Sequence, residues 1–257
     1  MKKIAYRNDR SKVNIFLIFL VLVYGLGVNS FAQDDLIAAS KNDSCQVLVA
    51  DRVFDGFNLL NNAAVLFTGN KIVQVGDQDQ LSDICHRTID LGDATILPGF
   101  IESHSHLAIQ NIPHDKVLQH GITTARDTGG PLQKPTGGNG TLRVLSAGPI
   151  IQAVDGYPLN IFGHSENSHH SKYDAVGIAV STIEEAETAV KDLVAGGSTI
   201  IKIALEPGGE AGAPWMSSHG HGEPHKTPWP LLPLDIVKAI VAKAHSLNRK
   251  VTAHVGE

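Results

Sequence analysis

Three places in the chain put metal-ligating or nucleophilic side chains where a strand would end. The first is His104-Ser105-His106. With 13 histidines in 257 residues, about 0.65 His-x-His pairs are expected by chance, and a second one does occur at His219 and His221. Context therefore decides. A β-type run leads directly into His104, and residues two apart on a strand point to one face, so both imidazoles could serve one cation. The second place is Lys202, within Ser198-Thr199-Ile200-Ile201-Lys202-Ile203-Ala204-Leu205. Alternation puts Lys202 on one face with Ile200 and Ala204, while Ile201, Ile203 and Leu205 share the other. A strand apolar on both faces is expected to be buried on both sides, where an ammonium is costly unless paired, neutralised or modified. A neutral amine near a metal can react with carbon dioxide to give a carbamate, a bidentate oxygen ligand. The alternative is a lysine whose stem is buried and whose head reaches water. The third place is His254, closing Val251-Thr252-Ala253-His254. A lone imidazole there is commonly a satisfied core or surface donor. What singles it out is the order: two His, then Lys, then His, each where a (β/α) barrel would open its catalytic face.

The elements that must position these groups are short β runs alternating with helical stretches, the pattern of parallel βα units. Strands are expected near residues 100–103, 123–126, 144–147, 200–204 and 251–254. Between them, Ile183–Ala195 and Leu234–Ser246 carry apolar residues at helical spacing, with Thr182 placed to cap the first and Asp235 in the first turn of the second. Residues 208–233, rich in Gly, Pro and His and without periodicity, read as a long loop over one end of this unit. Ahead of it, the runs 46–50, 63–68 and 71–75 are separated by Asp55-Gly56 and Gly69-Asn70, as in a small antiparallel sheet. Residues 93–97 lead out of that sheet into Pro98-Gly99, a boundary between segments.

Composition narrows the class. Hydrophobic residues make up 42% and charged residues 18%, near ordinary globular usage, so neither disorder nor a multi-span membrane protein is indicated. Residues 1–32 read as a targeting segment: Lys2, Lys3, Arg7, Arg10 and Lys12, then an apolar core over 15–28, then Ser30-Phe31-Ala32 for cleavage. At 14 residues that core is short of the ~18 a spanning helix needs. An exported product, periplasmic or secreted and without a stable membrane anchor after cleavage, is therefore expected. Losing five Lys/Arg and one acidic residue with that segment moves the net charge from −5 to −9, which argues against a nucleic-acid partner. The two cysteines, Cys45 and Cys85, would then meet an oxidising compartment, where a bridge and two buried thiols are both allowed.

The segment Leu97-Pro98-Gly99-Phe100-Ile101-Glu102-Ser103-His104-Ser105-His106-Leu107 resembles the first-strand signature of the amidohydrolase superfamily. Gly121-Ile122-Thr123-Thr124-Ala125-Arg126-Asp127-Thr128-Gly129-Gly130 is similar to that family's second-strand segment, 200–204 to its lysine strand, and 251–256 to its fifth. The likeness runs from about residue 46 onward and is nearest the branch of imidazolonepropionase-like enzymes and Xaa-Pro dipeptidases. It implies an α/β fold: a (β/α)8 TIM-type barrel over 98–257, incomplete here at about strands 1–5, with a small β-sandwich domain over 44–97. It further implies a binuclear site, usually zinc. By carry-over, His104 and His106 would bind the more buried ion, carboxylated Lys202 would bridge both, and His254 would bind the more exposed one. Such a centre hydrolyses an amide, cyclic amide or dipeptide through a metal-activated water.

The family's sixth-strand histidine and its proton-shuttling aspartate on the eighth strand have no counterpart before Glu257, so no catalytic residue is assigned. A second expectation follows: a truncated, catalytically inactive metal-binding fragment of such an enzyme. A third, a metal carrier built on the loop from His219 to His225, ranks below both. His164, His169, His170, His219, His221 and His225 fall in loops and read as solvated. Glu102 and Asp127 flank the site as groups that could orient ligands, and Glu206 reads equally well as surface. The expected partner is a small-molecule or dipeptide substrate; homo-oligomerisation is left open.

Overall fold

The computed structural model describes residues 34–162, 176–208 and 228–255. The chain divides into two compact units between Pro98 and Gly99. The leader at 1–32 and the six loop histidines lie outside the described residues.

In the first unit, β1 (Cys45–Phe54) and β2 (Leu59–Thr68) pair antiparallel from Cys45↔Thr68 to Phe54↔Leu59. Val47, Val49, Ala64 and Leu66 are buried in one apolar cluster and Val53, Ala63 and Val65 in another. The connecting turn closes through Asp55 Oδ1, which accepts from the Phe57 and Asn58 amides at 2.8 and 2.7 Å, with Gly56 at φ 103°. β3 (Lys71–Asp77) continues the meander, and β4 (Thr88–Asp90) and β5 (Thr95–Ile96) join β1 in parallel. The result is one five-stranded mixed sheet; the second, facing sheet of the expected sandwich is not among the described residues. Cys45 and Cys85, between which the sequence left the choice open, form a disulfide inside the core of Val47, Leu66 and Leu81.

The second unit holds two four-stranded sheets. In one, β6 (Phe100–Ser105), β7 (Ile122–Asp127) and β9 (Thr141–Ser146) run parallel, and β8 (Thr136–Gly138) folds back antiparallel on β9. In the other, β10 (Ile150–Ala153), β11 (Gly177–Val180), β12 (Ile201–Leu205) and β13 (Val251–Val255) are all parallel, in the order β11-β10-β12-β13. Two bonds lace β9 to the approach of β12: the Thr199 amide to Ser146 O and the Ser198 hydroxyl to Ala147 O, each 2.9 Å.

Helices α1 (Ile183–Ala195) and α2 (Leu234–Ser246) occupy the crossovers before β12 and β13. α1 starts in a reciprocal cap, Thr182 accepting from the Glu185 amide while Glu185 accepts from the Thr182 amide, and this fixes its first turn. The apolar faces of both helices close over Ile151, Val180, Ile201 and Ile203, where Val190, Leu193, Ile236 and Ile240 pack.

The parallel α/β architecture matches the alternation in the sequence, and strands stand at all five expected places. β8, β10 and β11 were not foreseen. Ile150-Ile151-Gln152-Ala153 is buried at every position, so it carries no polar alternation, and four residues are too few to reveal a period. A closed barrel is not present among the described residues. β6 and β13 remain as sheet edges, with Phe100, Ile101 and Val255 at 56%, 71% and 65% exposure. No helix among the described residues is long and apolar enough to cross a membrane.

The disulfide spans 40 residues of chain. Loop-closure entropy for such a span corresponds to about 4 kcal/mol, so reduction, or a Cys45→Ala/Cys85→Ala double substitution, should lower stability by that order. Urea unfolding with and without reductant measures it; coincident curves would show the bridge contributes nothing.

Candidate metal centre

β12 positions Lys202 by simple alternation. Ile201 and Ile203 point into the helix-covered core, so Lys202 and Ala204 point to the opposite face, where Ala204 packs with Ile150, Tyr157 and Trp229. Both faces are covered, and Lys202 is 0% exposed. The lysine head therefore does not reach water. Its Nζ lies 3.2 Å from His104 Nε2. Burial pulls the amine down from its usual value to about 8, and no charge partner opposes that pull. The His104 imidazole is also lowered, first by desolvation and then by the neighbouring amine, with Glu102 acting against both.

His104 and His106 leave the end of β6 side by side, their ring centroids 5.4 Å apart at 65°. The strand end is lashed to β7: the Thr128 amide bonds Ser105 O at 2.8 Å, and the Ser105 hydroxyl bonds Arg126 O at 2.9 Å. Asp127, 3% exposed, accepts from the Ala108 amide at 2.9 Å and holds the turn after His106. Burial raises its carboxyl, partly offset by backbone amides, led by that of Ala108. Glu102 accepts from the His104 amide at 2.8 Å. Both carboxylates thus shape the backbone that presents the imidazoles. Gly129 lies close against the site, since a Cβ there would lie 3.0 Å from Ile150 Cδ1 and 3.4 Å from His106 Cε1.

His254 follows from register. Lys202 pairs with Thr252 and Ala204 with His254 across parallel β12 and β13, which places Lys202 and His254 on the same face. The His254 ring lies 4.5 Å from that of Tyr157, and its Nε2 is 3.3 Å from Glu206 Oε2. Glu206 is the residue that sequence reasoning undervalued. Far from surface, it is 2% exposed. The signal was available, because 202, 204 and 206 share parity and Glu206 must follow Lys202 onto the same face unless the strand breaks first. Its charge, after burial, helps push the Tyr157 phenol up to about 12.

The structure thus brings Lys202 to His104, His104 to His106, and His254 to Glu206. Among the described residues, no three His, Cys, Asp or Glu side chains converge on one point. A ligand set at this face has to include the lysine. That residue fits: a buried amine, pulled toward neutrality, lying against an imidazole nitrogen with no carboxylate in ion-pair reach among the described residues, is chemically suited to carbamate formation and to sharing a cation.

No protein-family model and no curated protein matches the sequence. Solved structures do. A prolidase complexed with N-methylphosphonate-L-proline is 22% identical, with a TM-score of 0.58 over 82% of this chain and 56% of its own. The A. niger ochratoxinase is 19% identical, with a TM-score of 0.59 over 82% and 55%. A Xaa-Pro dipeptidase with methionine bound in its active site is 20% identical, with a TM-score of 0.58 over 82% and 57%. The fold is that of amidohydrolase- and prolidase-like enzymes. The chain spans just over half the length of these relatives.

Because the folded state releases the Lys202 proton near pH 8 and the unfolded chain does so near 10.5, the unfolded state binds more protons between those values. Stability of chelator-treated protein should therefore rise as pH climbs from about 8 to 10.5, with the whole burial penalty present below that window. Lys202→Met removes the penalty, an effect of about 3 kcal/mol near neutrality by the shift alone. Urea unfolding across this range should show wild type gaining on the variant; parallel profiles would mean the amine is solvated.

Proposed function

We propose that this chain carries the metal-binding part of an exported, metal-dependent hydrolase of C–N bonds whose substrate is an amide, a cyclic amide or a dipeptide. The observation that carries the reading is Lys202, fully buried on a parallel strand with its nitrogen 3.2 Å from His104 Nε2. A lysine kept only for packing would be unfavourable there, because its desolvated charge has no compensating anion among the described residues.

The groups that would hold two divalent ions, zinc foremost, are His104, His106, Lys202 as its carbamate, and His254. When bound, such ions acidify water toward neutral pH and polarise a carbonyl. The chain's own residues supply the setting. Ser105, Asp127 and Thr128 fix the strand end from which both imidazoles project. Tyr157 and Trp229, stacked with centroids 6.0 Å apart, form an apolar wall beside His254 that keeps water from the interior face. The amide and dipeptide assignment draws support from the prolidase and Xaa-Pro dipeptidase among the similar structures. Export draws support from the basic and apolar leader and from the Cys45–Cys85 bridge, which an oxidising compartment preserves.

Metal analysis of the full chain should find close to two zinc equivalents, and His104→Ala should lose at least one. Turnover of Xaa-Pro dipeptides or N-acyl amides should fall by more than ~100-fold in that variant. Metal-free protein together with unchanged turnover in His104→Ala would remove the proposal.

A further inference from the structure

The donor set carried over from the resemblance ends at His254, yet the structure sets a second potential donor beside it. Glu206 lies past the end of β12 and is 2% exposed. One carboxylate oxygen is committed: Oε1 accepts from the Gly208 amide at 2.7 Å, which fixes the rotamer. The other, Oε2, is fully buried and accepts no hydrogen bond among the described residues. Its neighbour is His254 Nε2 at 3.3 Å, outside hydrogen-bond alignment. The ion pair between them exists only when the imidazole is protonated, so a neutral His254 leaves a buried carboxylate oxygen uncompensated.

A bound cation changes that balance. Nitrogen and oxygen ligands in a tetrahedral zinc site each lie about 2.0–2.2 Å from the metal, so two of them sit roughly 3.3–3.5 Å apart. The observed 3.3 Å between Oε2 and Nε2 is that spacing. Glu206 continues the parity of Lys202 and Ala204 one residue past the end of β12, and its approach to His254 puts it on the same face.

We propose that Glu206 Oε2 ligates the same divalent cation as His254 Nε2, making Glu206 a fifth protein donor of the centre. This rests on the metal-dependent reading above and adds to it a residue that reading does not contain. A carboxylate here places a negative charge on the His254 ion, lowering its net charge and tightening its retention.

The test compares wild type with Glu206→Gln, which keeps the acceptor for the Gly208 amide and removes the charge, and with Glu187→Gln, where α1 pairs with Lys243 of α2, as a control. Zinc titration of the full chain should show the affinity of one of two sites falling by at least ~10-fold in Glu206→Gln. The visible spectrum of the cobalt(II)-substituted protein should change as well, and the control should match wild type in both. Anomalous diffraction from zinc-loaded wild-type crystals needs no variant and should place an ion within about 2.0–2.2 Å of Oε2. An ion more than ~3 Å from Oε2, or unaltered affinity and spectrum in Glu206→Gln while His104→Ala loses zinc, overturns the Glu206 assignment alone. A wild-type chain that binds no zinc overturns it together with the proposed function.

Discussion

The centre of this molecule is organised around one electrostatic constraint, an amine removed from water with no counter-charge among the described residues. Lys202 is enclosed on every side, and burial alone shifts its protonation toward neutrality. A residue of that kind is unfavourable to folding, and the surrounding architecture has to supply the difference. Ile201 and Ile203 do so from the reverse face of β12, where they are buried under α1 and α2. The apolar packing and the polar face are two sides of one five-residue strand.

From that strand outward, each neighbour is placed by a backbone rule. Parallel pairing with β13 carries His254 onto the face of Lys202. The bonds from Ser198 and Thr199 to β9 hold the entry of β12, and β9 in turn pairs with β7 and β7 with β6, whose end presents His104 and His106. The 3.2 Å approach of His104 to Lys202 is thus the closing distance of a chain of hydrogen-bonded strands.

Much of this was legible in the sequence, because alternation is a strong signal in strands of five or six residues. The apolar–lysine–apolar pattern at 200–205 gave a strand buried on both faces but left open whether the Lys202 head reached water, and the βα alternation after Pro98 gave the parallel sheets. Thr182 as a cap was visible because its partner Glu185 stands three residues on. Other features were hidden for physical reasons. β10 is buried at every position and too brief for a period to emerge. The Cys45–Cys85 bridge needs a Cα separation of 5.4 Å, which depends on how β1 meets the segment after Leu81. Glu206 reads equally well as surface because it stands just past the lysine strand, whereas its side chain is buried beside His254.

One detail of the chain path bears on how such a molecule could diversify. Pro207 and Gly208 are held against Trp229: the Trp229 amide bonds Pro207 O at 2.7 Å, and the indole lies so close to Gly208 that a Cβ there would be 2.7 Å from it. The entropy of closing an insertion grows only with the logarithm of its length once its ends are held. The length of chain between Gly208 and Trp229 can therefore change at small energetic cost while β12 and β13 stay as they are.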